Sequence, residues 1–282
     1  MQTAIDYIHT SLKELYPETE ISGFTRIIIE YTTGRDYRLA LIDKTTFSQE
    51  QVDSIHRIVE RLMKYEPIQY ILGETEFFGL PFSVNSDTLI PRPETEELVE
   101  LILNENKEPN LSVLDIGTGS GCIAIALAKH LNSASVSAWD FSQGALDMAG
   151  KNANKNSANV DFARVDVLSE YPVDKKFDII VSNPPYVLES EKTAMDNNVL
   201  DYEPHTALFV PDNKALLFYE RIADIALNIL KPTGKLYFEI NQAKGEETIE
   251  MLKAKGFINL ALHKDLSKRD RMIKAELNIL AI

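Results

Sequence analysis

Ser182-Asn183-Pro184-Pro185-Tyr186 sets a carboxamide, two prolines and a phenol on consecutive positions. Prolines preset φ and carry no backbone N–H, so this turn is stiff and offers carbonyls in place of donors. The Asn183 side-chain oxygen and the Pro184 carbonyl then form a pair of acceptors, a match for an NH2 group with its pair of donors. An amide nitrogen is a poor nucleophile because its lone pair is delocalised into the carbonyl. Fixed acceptors would orient such an NH2, stabilise positive charge developing on nitrogen and aim the lone pair at an electrophilic methyl for in-line transfer. Tyr186 is expected to lie against the planar group that carries the nitrogen. The plainer alternative, a proline-stiffened structural turn, leaves the asparagine unexplained.

A second chemical segment runs Val113-Leu114-Asp115-Ile116-Gly117-Thr118-Gly119-Ser120-Gly121 and leads into an apolar helix. Glycines allow positive φ and close approach of a ligand to backbone. The G-x-G-x-G spacing differs from the G-x-G-x-x-G of dinucleotide sites. Asp115, just before the loop, would repel a pyrophosphate but suit a cationic amino-acid moiety. Asp140 ends the next strand, where a carboxylate can accept from both hydroxyls of a ribose; alone it would read as a turn or cap residue. Asp166 follows the third strand, placed for an adenine amine, with Leu168 and nearby backbone against the adenine face. Carboxylates at three strand ends around one glycine loop favour a nucleoside-bearing methyl donor.

These groups need a frame. Beyond Leu111 short apolar runs alternate with helical ones, the signature of a parallel α/β sheet. The strands expected are Ser112–Ile116, Ser135–Trp139, Val160–Val165, Phe177–Val181 and Lys235–Ile240, with an apolar helix over Ala215–Leu230. Phe257–Leu262 and Met272–Leu280 read as an antiparallel edge hairpin. Asn183 would then sit at the carboxyl end of the fourth strand, beside the switch point where open sheets bind ligands. The N-terminal seventy or so residues read as helices: Ile5, Ile8, Leu12 and Leu15 share one stripe, and Phe24, Ile27, Ile28 and Tyr31 another. Gly34 is a stop signal, and Ser48 with Gln51 a capping box ahead of Val52, Ile55, Val59 and Leu62. Aromatic and β-branched residues around Gly79 and Pro81 predict a hairpin, and the segment Ile71 to Pro91 a linker. Asn152, Asn154, Asn156 and Asn159 read as a solvated helix end.

Among 282 residues, 43 acidic side chains outweigh 29 basic ones, for a formal net charge of -14. That balance disfavours stable nucleic-acid binding. The N-terminus lacks the basic and apolar regions of a signal peptide, and no run approaches the length of a membrane span. Cys122, the single cysteine, cannot form an intrachain disulfide, which fits a cytoplasmic protein; it opens an apolar helix and reads as a packing residue. The five histidines show no close metal-ligand spacing, and no metal is expected. Arg92 could brace the cofactor pocket or the substrate backbone, or only make a helix-start salt bridge. Glu203 and His205 could shape a substrate cleft.

Asn183-Pro184-Pro185-Tyr186, Gly117-Thr118-Gly119-Ser120-Gly121, Ile90-Pro91-Arg92-Pro93-Glu94-Thr95 and Glu203-Pro204-His205-Thr206-Ala207-Leu208 together resemble the HemK/PrmC family of peptide chain release factor glutamine methyltransferases. The resemblance spans essentially the whole chain, including the Lys264-Asp265-Leu266 and Asp270-Arg271 turn. Pro211-Asp212-Asn213-Lys214 departs from the glycine-containing turn usual there. The resemblance implies a class I (Rossmann-like) S-adenosylmethionine-dependent methyltransferase fold, with a helical substrate-recognition domain over residues 1–72, a hairpin linker over 73–91 and the methyltransferase domain over 92–282. It implies S-adenosylmethionine as donor, S-adenosylhomocysteine as product, and the glutamine of a release-factor Gly-Gly-Gln motif as acceptor. The asparagine-proline-proline-tyrosine turn also serves amino-methylating DNA and RNA enzymes, which makes a nucleic-acid methyltransferase the first rival. A non-catalytic scaffold that kept the fold is the second.

Overall fold

The computed structural model describes residues 1–43 and 45–278; Ile279 and Leu280, expected in the last strand, lie outside the described residues. The chain divides into two compact units, one of Met1–Gly73 with Asp196–Tyr202, the other of Glu74–Met195 with Glu203–Ile282.

The first unit holds α1 (Gln2–Leu12), α2 (Glu18–Thr33), α3 (Tyr37–Ile42), α4 (Gln49–Leu62) and α5 (Ile68–Leu72). Ile8, Leu12, Ile21, Ile28, Ile55, Val59 and Leu62 form its core. Gly34 ends α2 in the left-handed conformation at φ 65, which glycine adopts without a Cβ penalty. Both halves of the Ser48–Gln51 capping box form at the start of α4. The buried face of α2 is centred on Ile21, Thr25 and Ile28, and Tyr31 is exposed. Thr25 can be buried because its hydroxyl donates to the Ile21 carbonyl at 2.8 Å. Tyr202 ties the distant segment into this unit by donating its hydroxyl to the Lys64 carbonyl at 2.7 Å.

The second unit opens with the hairpin β1 (Glu74–Phe77) and β2 (Leu80–Ser83). Expected as a linker, it packs into this unit instead: Phe77 and Phe82 meet edge to face and join the core of α6 (Pro93–Glu105). Then follow β3 (Ser112–Ile116), α7 (Cys122–His130), β4 (Ser135–Asp140), α8 (Gln143–Lys155), β5 (Val160–Arg164) and β6 (Phe177–Ser182). After the short β7 (Val187–Leu188) the chain passes through α9 (Asn197–Leu200), part of the first unit, and returns to β8 (Phe209–Val210), which pairs with β7. The unit closes with α10 (Leu217–Ile229), β9 (Leu230–Glu239), α11 (Gly245–Ala254), β10 (Phe257–Lys264) and β11 (Asp270–Leu277).

Among the described residues seven strands form one sheet in the order β10-β11-β9-β6-β3-β4-β5. The five from β9 to β5 run parallel, and β11 and β10 complete an antiparallel edge. Parallel strands are covered by helices on both faces and so read as continuous apolar runs; Ile179, Ile180 and Val181 are all buried. The chain steps outward from β3 through β4 to β5, then crosses back to β6, which places a topological switch point between β3 and β6.

The asparagine run at the end of α8 is only half solvated. Asn152 is fully buried and brackets β2, accepting from the Ser83 N–H at 2.7 Å and donating to the Ser83 carbonyl at 2.9 Å. Its amide also donates to the Ser120 carbonyl at 2.9 Å. Asn156, also buried, donates to the Pro81 carbonyl at 2.9 Å. Asn154 and Asn159 are exposed. Buried amides persist where their hydrogen-bonding groups find partners, as those of Asn152 do.

Candidate active site

A cavity of about 330 Å³ opens at the carboxyl ends of β3, β4, β5 and β6, beside the switch point. It is lined by Gly117, Thr118, Gly119 and Ser120 of the glycine loop, by Asp140 and Asp166, by Asn183, Pro184 and Pro185, and by Arg92. Asp115, Gly121, Leu168 and Tyr186 are not among the lining residues.

The glycine loop needs its composition. Gly117 and Gly119 have φ of +74 and +54, and a Cβ built on either would meet no atom within 4 Å. They leave a cradle on the cavity wall that a ligand can enter against bare backbone. Gly121 serves differently: a Cβ there would stand 3.0 Å from Ile125 and 3.1 Å from Ala149, so its role is the close packing of α7 on α8. Asp115 lies buried beneath the loop, accepting from the Thr118 hydroxyl at 2.6 Å and the Ala124 N–H at 3.2 Å through Oδ2. Oδ1 is buried without a partner among the described residues. Burial pushes this carboxyl up to about 7.

Asp140 accepts from the Gly119 N–H and the Ser142 N–H, both at 2.9 Å, one on each oxygen. It thereby clamps the loop to the end of β4, and each oxygen keeps a lone pair for a ligand. Burial raises its pKa. The exposed Phe141 ring and Val167 also line the cavity. Asp166 caps its own turn, accepting from the Leu168 N–H at 3.0 Å and the Ser169 hydroxyl at 2.9 Å. Leu168 points to solvent.

The Asn183 turn leaves β6 after Ser182, whose hydroxyl donates to the Ile116 carbonyl at 2.6 Å and so joins β6 to β3 just below the cavity. Asn183 donates through Nδ2 to the Thr95 hydroxyl at 3.3 Å. Its Oδ1 accepts no hydrogen bond from any described residue. Tyr186 turns away from the cavity and donates its hydroxyl to Glu239 Oε1 at 3.1 Å. Its pKa is raised well above that of a free phenol, first by burial and then by the nearby Glu239 charge. Glu239, fully buried at the end of β9, also accepts from the Thr95 hydroxyl at 2.6 Å. Sequence reading passes over Glu239, although it terminates an apolar strand just as Asp140 does.

Arg92 is the N-cap residue of α6, and its guanidinium pairs with Glu203. Glu203 is buried and also accepts from the Ile90 N–H at 3.3 Å. The pair staples the Ile90–Arg92 segment to the Glu203–Leu208 segment, from which Pro204, Thr206 and Ala207 reach the cavity. His205 is exposed, with its ring against Phe209. The Pro211–Lys214 stretch forms a 3-10 turn in which Asp212 accepts from the Ser190 N–H at 3.0 Å and its hydroxyl at 2.8 Å. Cys122 is buried, and burial raises its thiol to about 12, which disfavours the reactive thiolate. Among the described residues no helix is long and apolar enough to cross a membrane.

The chain shares its fold with a methyltransferase from Pyrococcus furiosus, at a TM-score of 0.52 and 18% identity over 83% of this chain and 100% of that one. Residues 94–201 match the methyltransferase small domain model, and residues 3–73 match the PrmC N-terminal domain model. A release factor glutamine methyltransferase from Flavobacterium psychrophilum is 50% identical over 273 residues, 94% of each chain. One from Bacteroides thetaiotaomicron is 47% identical over 271 residues, 95% of this chain and 97% of that one. Identity at this level over nearly the full length places the chain: it belongs to the release factor glutamine methyltransferase family.

Proposed function

We propose that this chain transfers a methyl group from S-adenosylmethionine to the side-chain amide nitrogen of the glutamine in the Gly-Gly-Gln motif of peptide chain release factors, leaving S-adenosylhomocysteine. The relatives' names supply the substrate class. The observation that carries the chemistry is Asn183, held at the cavity with its amide nitrogen engaged by Thr95 and its oxygen open.

S-adenosylmethionine brings an electrophilic methyl carbon on a sulfonium. The cradle at Gly117 and Gly119 fits a bulky ligand laid against backbone. Asp140 would accept the ribose hydroxyls with its remaining lone pairs, Asp166 would meet the adenine amine, and Phe141 and Val167 would supply apolar surface for the adenine ring. Thr118 and Ser120 line the methionine side, near the N-terminus of α7, whose dipole favours a carboxylate. Asp115 and Gly121 act from beneath, bracing the loop. Asn183 Oδ1 and the Pro184 carbonyl accept the two N–H groups of the glutamine amide. They align its nitrogen and favour the charge that develops there as the N–C bond forms. Tyr186 and Pro185 stiffen this turn, and Arg92 with Glu203 holds the cleft wall. The helical unit recognises the release factor, nucleic acid is not a stable partner, and the enzyme works in the cytoplasm alongside translation.

The test is mass spectrometry of purified release factor after incubation with the enzyme and S-adenosylmethionine, with DNA and RNA arms in parallel. A single methyl group on the Gly-Gly-Gln glutamine is expected; methylation of nucleic acid in its place overturns the substrate. Asn183→Ala should lower the single-turnover rate roughly a hundredfold or more, the scale of losing one preorganised polar partner, with cofactor affinity little changed. Near-normal turnover in that variant would exclude Asn183 from the chemistry.

A further inference from the structure

An asparagine carboxamide can sit either way round in a pocket, with oxygen and nitrogen exchanged. At Asn183 that choice decides the chemistry: rotated by half a turn, it would present its own NH2 to an incoming NH2. We propose that Glu239 and Thr95 are positioning residues that fix the Asn183 carboxamide with Oδ1 facing the cavity. The proposal rests on the glutamine-methylating reading above.

The argument follows the protons. Glu239, 1% exposed, ends β9 with its carboxylate between α6 and the Asn183 turn. A carboxylate only accepts, so the single hydroxyl proton of Thr95 is committed to Glu239 Oε2, at 2.6 Å. Thr95 then has only lone pairs left for its other neighbour. The end of Asn183 that faces it, at 3.3 Å, must be the donor Nδ2. The Tyr186 hydroxyl is committed in the same way to Glu239 Oε1. Burial raises the pKa of Glu239, whereas the hydrogen bonds from Thr95 and Tyr186 and the nearby Arg271, itself bonded to Asp265 at 3.3 Å, favour the charged form, and Glu94 opposes it. Asn183 and Tyr186 thus leave one turn for the same carboxylate, one through Thr95 and one directly. Thr95 belongs to the Pro91-Arg92-Pro93-Glu94-Thr95 segment, from which Pro91, Arg92 and Thr95 line the cavity.

Thr95→Val keeps the side-chain shape and removes the hydroxyl. Its kcat on a release-factor substrate should fall roughly tenfold or more, on the scale of one broken hydrogen bond to a committed partner. The dissociation constant for S-adenosylhomocysteine should stay near the wild-type value; the thermal midpoint should drop, because the buried Glu239 Oε2 loses its donor, and Thr95→Ser should recover both the midpoint and most of the rate. In an Asn183→Ala background Thr95→Val should cost nothing further; an undiminished loss there overturns the relay, because Thr95 would be acting without Asn183. A readout free of turnover is hydrogen exchange of the Asn183 side-chain amide in the unliganded enzyme, followed by NMR. It should be slowed in the wild type and accelerated in Thr95→Val and in Glu239→Gln, whose amide can accept or donate and so no longer sets the direction. Equal exchange in all three overturns the proposal. Slowed exchange in an enzyme that leaves glutamine unmethylated upholds the relay and removes the function instead.

Discussion

Asp140 sends one oxygen to the Gly119 N–H and the other to the Ser142 N–H, so it builds the loop as well as lining the cavity. Asp140→Ala should therefore weaken S-adenosylhomocysteine binding by more than a ligand contact alone, about 1.5–3 kcal/mol for each charge-assisted bond lost. Titration calorimetry gives the number, and unchanged affinity would remove Asp140 from the site. The cavity-lining positions of Asp140 and Asp166 are legible in the sequence because these carboxylates end or follow apolar runs near a glycine loop. Glu239 ends such a run too, yet its partner Thr95 lies 144 positions away, and no spacing rule joins them. Tyr186 misleads for a related reason. Its place in the turn is plain, but its direction is set by a carboxylate from another strand.

At the level of elements, the parallel strands and the edge hairpin follow from apolar runs that must be buried on both faces. Their order in the sheet brings Asn183 beside the glycine loop. The β7 and β8 strands, at two residues each, are too short to leave a pattern. The asparagines of α8 defeat sequence reading because polarity near a helix end suggests solvent, whereas Asn152 substitutes for a missing strand neighbour of β2 and reaches the glycine loop through Ser120. Asn152→Ala strands one buried N–H and leaves two carbonyls short of a donor. At about 1–3 kcal/mol for each unsatisfied group, partly relieved by water, a loss of roughly 3 kcal/mol is expected. Denaturant unfolding measures it. Cofactor affinity should fall with it, since the Ser120 end of the loop loses its tether; full stability in the variant would mean that hairpin and loop hold without this amide.

Over the whole molecule, an excess of acid side chains is carried with several carboxylates buried under the site: Asp115, Asp140 and Glu239 all have raised pKa values, with burial the largest cause. A carboxyl that binds its proton more tightly folded than unfolded weakens the fold as pH rises from its unfolded pKa to its folded one. For Asp115 that window runs from 3.8 to about 7. Asp115→Asn removes the titration, so thermal unfolding of the unliganded variant should gain on the wild type as pH rises from 5 to 7, by roughly 2 kcal/mol at about 1.4 kcal/mol per unit, and gain no more above 7. A gap independent of pH would mean that Asp115 titrates elsewhere. The discontinuity of the helical unit acts at a different moment in the molecule's life. Residues 1–73 leave the ribosome first, but the Tyr202 hydroxyl that donates to Lys64 follows 138 positions later. At roughly 5–20 residues per second that is a wait on the order of ten seconds, during which the nascent helices lack a segment of their own fold. The helical unit therefore waits for its last segment until the whole Glu74–Met195 stretch of the second unit has been synthesised.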